Sequence, residues 1–180
     1  EHNDSIRKIR ETEVNKIRDK MKEHLSKIEG EKESIEGIEV EIRELIQTIS
    51  DKGTTKKKLD EAKRVRSEME TNLRNYAKEL NFYHDHDNCP TCKQGIDHEF
   101  KNTIITEKDK KVEELRSGIE DLSKKINEFE VRIEEISKVE DEIQLKNITI
   151  GEHRAQIKMS KNALVSYKEE LTTAEREVEE

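Results

Sequence analysis

The chain reads as all-α: a long antiparallel coiled-coil hairpin with a Cys-x-x-Cys hook loop at its tip. Three observations predict this. Apolar residues recur at alternating steps of three and four along both halves, charged residues make up 43% of the chain, and one short segment of different composition interrupts the pattern at the midpoint. Only 30% of residues are hydrophobic and 3% aromatic, with no Trp and a single Pro. That is too little large apolar surface for a compact domain of this size, and composition of this kind leaves long helices or disorder. Periodicity decides for helices.

The first element is an ascending helix over residues 1–83. From Val14 to Ile49 a seven-residue lattice holds the apolar residues Val14, Ile17, Met21, Ile28, Ile35, Ile38, Ile42, Leu45 and Ile49, with His24 and Glu31 as polar intrusions. A strict 3.5-residue repeat keeps one narrow stripe facing a partner helix, which is a coiled-coil seam. The stretch 50–58 then holds no apolar residue and contains Gly53, and the pattern resumes off the earlier lattice at Leu59, Ala62, Met69, Leu73, Tyr76, Leu80 and Tyr83. A break near 50–58 is expected there, as a local interruption or a flexible joint.

The second element is the loop 84–97, with the only proline, both cysteines and Gly95. Pro90 blocks a helix, Gly95 suits a left-handed reversal, and Asp97 is a good N-cap for the returning helix. The third element, a descending helix over 98–180, carries Ile105, Val112, Leu115, Ile119, Leu122, Ile126, Phe129, Ile133, Ile136 and Ile143 on one lattice. Ile150, Ile157, Leu164, Tyr167, Leu171, Ala174 and Val178 continue it after a small slip near Gly151. Eighty-eight residues precede Cys89 and eighty-eight come after Cys92. Two equal arms about a central turn predict a hairpin in which residue i faces about 181 − i, placing Gly30 opposite Gly151. Each arm would be ~120 Å long at the helical rise of 1.5 Å per residue.

Charge and cysteine count narrow the chemistry. The net charge is −8, from 43 acids against 35 bases, which argues against a nucleic-acid grip across the chain. Lys56, Lys57 and Lys58 form the one tight basic cluster and read as a solvated surface. No run reaches the ~18 apolar residues of a membrane span, and no signal-peptide pattern opens the chain. Two cysteines three apart make no disulfide framework, and a reducing cytoplasm fits them. Glu1 in place of Met, with a helical pattern that runs unbroken to Glu180, predicts a segment of a larger protein.

Cys89-Pro90-Thr91-Cys92 is the motif that carries chemistry. Two thiolates on one tight turn grip a tetrahedral ion at ~2.3 Å, and a rigid Pro-containing turn aims backbone N–H groups at sulfur. Structural zinc takes four ligands, so one loop supplies half a site. The other half comes either from a second chain in trans or from His84, His86 or His98 in cis. His84 and His86 lie on an Asp-rich approach and His98 falls in the first turn of the returning helix, which favours the trans arrangement. A dithiol redox module is the rival chemistry, although its usual βαβ setting is not visible. A zinc-ribbon-like nucleic-acid binder is the third reading, against which Asp85, Asp87 and Asp97 count because they repel phosphate.

Equal heptad arms flanking Asn88-Cys89-Pro90-Thr91-Cys92-Lys93-Gln94-Gly95, with His98-Glu99-Phe100 beyond, resemble the zinc hook of the SMC-like DNA-repair ATPases of the SbcC type. The motif is nearest to the bacteriophage branch of that family. The resemblance covers the whole chain as architecture and about eight residues as motif. It implies that Cys89 and Cys92 are zinc ligands, that one zinc ion is shared between two chains, and that the chain homodimerises through the hook. It further implies that the parent is the ATPase subunit of a double-strand-break repair and recombination complex, binding a nuclease subunit and DNA. ATP and magnesium would belong to a head outside this segment, because no G-x-x-x-x-G-K-[ST] occurs among its six glycines. No catalytic residue, and no direct nucleic-acid site, is expected in the segment itself.

Overall fold

The computed structural model describes residues 2–179. They form three helices, α1 (His2–Thr48), α2 (Lys52–Asp85) and α3 (His98–Glu179), with no strand among the described residues. The chain divides into two compact units, Glu1–Ile49 with Val139–Glu180, and Ser50–Lys138. No helix is long and apolar enough to cross a membrane among the described residues.

In the first unit the predicted lattice is the packed face. Val14, Ile17, Ile28 and Ile150 are buried, and Met21, Ile35, Ile38, Ile42, Leu45, Ile157, Leu164, Leu171, Ala174 and Val178 are half-buried. The two polar intrusions have partners across the seam. Glu31 pairs with Nδ1 of His153, and the His24 ring lies 5.7 Å from that of Tyr167. Arg18 pairs with Glu175 at 2.7 Å and Lys146 with Glu41 at 2.6 Å. These exposed pairs contribute little to stability, because water and salt screen them. Their use is to fix an antiparallel register that the apolar stripe alone leaves degenerate.

In the second unit Leu59 and Ala62 of α2 are buried with Ile126 of α3, and Leu122, Phe129 and Ile133 pack around them. Gly118 admits the methionine opposite, since a Cβ there would collide with the terminal methyl of Met69. Lys63 bonds Glu130 at 2.6 Å, and Lys108 bonds Glu79 while lying 4.7 Å from the centre of the Tyr76 ring. Lys56, Lys57 and Lys58 are exposed, as a solvated surface requires.

Two expectations change. Glu79 opposite Lys108 and Met69 opposite Gly118 set residue i against about 187 − i, a register about six residues away from the sequence midpoint. Nothing lies within 4 Å of a Cβ built on Gly30 or on Gly151, so those glycines do not pack against each other.

The interruption is also narrower than 50–58. It is a three-residue turn at 49–51, and 52–58 is helical, Gly53 included. Asp51 ties this turn to α3. Its carboxylate accepts two N–H bonds from Arg132, at 3.0 and 2.9 Å, and one from the Thr55 hydroxyl at 3.2 Å. Arg132 also donates to Glu135 at 3.0 Å. The guanidinium is the main cause that holds the Asp51 carboxyl at about 2, below its ordinary 3.8. Because the folded value is depressed, the stabilisation is complete above about pH 4 and is lost as pH falls through about 2. Asp51→Asn is therefore expected to lower the thermal midpoint at neutral pH, and the gap from wild type should close between pH 4 and pH 2. A gap that persists unchanged at pH 2 would count against the latch.

Candidate metal centre

The cysteine loop is built from its two helical stems inward. α2 ends at Asp85, so His84 and Asp85 close a helix instead of opening the loop, and His86 caps it in extended conformation. On the far side the Asp97 carboxylate accepts the backbone N–H of Phe100 at 2.8 Å, the expected N-cap, with Glu99 in the first turn of α3. Between the stems Asn88 and Gly95 form an isolated antiparallel bridge. Cys89 donates its N–H to the Gln94 carbonyl, Lys93 donates to the Cys89 carbonyl, and Ile96 donates to the Asp87 carbonyl, each at 2.8 Å.

The left-handed residue of the reversal is Lys93, with φ 63°, while Gly95 has no positive φ. A non-glycine residue there costs roughly 1–2 kcal/mol. The bond from Lys93 N–H back to Cys89 closes a one-turn loop whose end needs that conformation. Gly95 serves the bridge instead, where its Cβ position would stand 3.6 Å from the Asn88 side-chain oxygen.

Both cysteines are free thiols, Cys89 half-buried and Cys92 exposed. They come within 3.5 Å of each other, a separation that suits a metal pair and free thiols alike. The electrostatics of the turn say more. The Cys89 thiol is lowered from its ordinary range by the polar groups of the turn around its sulfur, the backbone N–H of Cys92 first and that of Thr91 next, with the Cys92 thiol after them. This is the arrangement a thiolate knuckle needs, and sulfur is the donor zinc prefers. The donor set therefore fits zinc as far as it goes. It stops at two, because no group of three His, Cys, Asp or Glu side chains able to hold a metal exists among the described residues.

The neighbouring histidines are occupied elsewhere or turned to solvent. His86 stacks on Phe82 at 4.9 Å, and its Nδ1 donates to the Phe82 carbonyl at 2.9 Å. His84 and His98 are exposed. Tyr83 and Ile96 are half-buried, and the Tyr83 ring meets Phe100 edge-on at 6.5 Å. Sequence reasoning named the cysteines and the cap. It missed Lys101, a buried lysine whose ammonium bonds the His86 carbonyl at 3.1 Å and the Asp87 carboxylate at 2.7 Å. That contact is the first cause that lowers the Asp87 carboxyl. The only sequence signal was a lysine in the first turn of a helix, where a cation is disfavoured by the dipole.

Comparison with protein-family models, curated proteins and solved structures returns no match to this chain.

Proposed function

We propose that this chain is a zinc-dependent tether, the coiled-coil and hook segment of an SMC-like ATPase subunit acting in DNA double-strand-break repair and recombination. Two chains meet at their cysteine loops and share one zinc through Cys89 and Cys92 of each. The single observation that carries the reading is the cysteine turn itself: two free thiols 3.5 Å apart, and no third donor from the same chain among the described residues. Half a tetrahedral site presented on a solvent-facing loop is completed by a second copy. The long paired helices add reach and no enclosed chemistry of their own.

When bound, zinc would supply a cross-link of four thiolates. The chain's part is to present two sulfurs, favour the thiolate at Cys89 and hold the turn rigid. ATP hydrolysis, DNA contact and the nuclease partner belong in this reading to the parent's head, and the compartment is a reducing cytoplasm. The lowered Cys89 thiol is also what a dithiol exchanger needs. The two readings part on assay: a tether binds zinc and dimerises in proportion to it, whereas an exchanger reduces a test disulfide catalytically as a monomer. Sedimentation during a zinc titration tests the tether, with dimer rising to a plateau at one zinc per two chains.

A further inference from the structure

We propose that Lys101 is the positioning residue of the cysteine turn, its ammonium fixing the root of the segment that carries Cys89. Lysine is seldom buried without a strong reason, because desolvating an ammonium is costly unless it is fully bonded. Here the Lys101 residue is 8% exposed, while its acidic partner Asp87 has a side chain 88% exposed. An ion pair that needed only strength would leave both charges in water or bury both. What is buried is the cation, and it is placed between α3 and the stretch that leads into the turn.

Its two bonds join the end of a helix to the start of the loop. One goes to the carbonyl of His86, the residue that ends α2, where the negative end of that helix welcomes a cation. The other goes to the carboxylate of Asp87. Asp87 in turn accepts Ile96 N–H through its carbonyl, and the next residue, Asn88, bridges Gly95. The Lys101 backbone N–H also bonds the Asp97 carbonyl at 2.9 Å. The side chain of Lys101 thus ties the α2 side of the loop to the first turn of α3, in which its backbone is already bonded. The loop has no apolar core that could do this, since Ile96 is its only half-buried aliphatic side chain. Removing the ammonium should leave the helices intact and let the turn open at its base, which weakens preorganisation of the two sulfurs.

The inference deepens the metal reading in one arm of its test and is independent of it in the other. In the full chain, Lys101→Met keeps the apolar stem and deletes the ammonium, Lys101→Arg keeps the charge, and Lys146→Met deletes an ammonium that pairs with Glu41 elsewhere. Titration with Co2+ alone, read by thiolate-to-metal charge transfer, should show affinity reduced roughly tenfold or more in Lys101→Met. The arginine variant should recover most of that loss, and Lys146→Met should bind as wild type. Amide exchange of Cys89, Lys93 and Ile96, measured without metal, should accelerate in Lys101→Met while the helical signal and thermal midpoint stay within a few degrees of wild type. Unchanged amide protection overturns the proposal whether or not metal binds. A wild-type chain that binds no Co2+ overturns the metal reading instead, and the exchange measurement still decides the role of Lys101.

Discussion

Cys89→Ser and Cys92→Ser are each expected to abolish zinc binding and to leave the chain monomeric, with its helical content unchanged. Each substitution removes one thiolate per chain and so two of the four in a shared site. A structural zinc site is worth ~10–16 kcal/mol at neutral pH, so losing half its thiolates costs on the order of 5 kcal/mol. That exceeds a thousandfold in affinity. The helices do not depend on the sulfurs, because both cysteines lie in the loop between Asp85 and His98. Zinc content by elemental analysis and mass in solution check the result together. Retention of both zinc and dimer in either variant would assign the ligands elsewhere.

Ile126→Ala is expected to destabilise the unit Ser50–Lys138 by about 2–5 kcal/mol, the range for truncating a buried Ile to Ala. Ile126 is 3% exposed and sits against Leu59 and Ala62 of α2, within a cluster that also takes in Leu122 and Phe129. A two-helix interface has few side chains per layer. The cavity therefore has little neighbouring structure to collapse into it, which places the cost above the lowest values for such truncations. Val131→Ala, five residues on and 50% exposed, serves as the comparison and should change stability by less than ~0.5 kcal/mol. Urea unfolding tracked by circular dichroism measures both. Equal effects at the two positions would mean that the lattice read from the sequence is not the packed face.

The lattice was legible because a 3.5-residue repeat has one physical meaning, a narrow face turned to a partner helix. Val14, Ile17, Ile28, Ile126 and Ile136 are buried where that repeat puts them. Register was not legible, since a repeating stripe matches itself at every heptad. It depends on partners such as Glu31 with His153, and on where the loop reverses. Asp97 announced itself as a cap by residue type, and the structure gives it the expected bond to Phe100.

Lys93 carried no such sign. The residue types of the turn pointed to Gly95, yet the bond from Lys93 to Cys89 fixes the left-handed position two residues earlier. The joint at 49–51 was visible as a gap in the pattern. Its latch was not, because Asp51 and Arg132 are 81 residues apart and each reads alone as one more surface charge. Lys101 stayed hidden for the same reason. Long-range polar contacts in a chain that is 43% charged leave no compositional trace.

The most direct test of the tether is the ratio of metal to chain, measured with solution mass before and after chelation. The account predicts one zinc per two chains in a particle of about twice 21.2 kDa, falling to the single-chain mass when a chelator removes the ion. One zinc per monomer, or a dimer indifferent to chelation and free of metal, would contradict it.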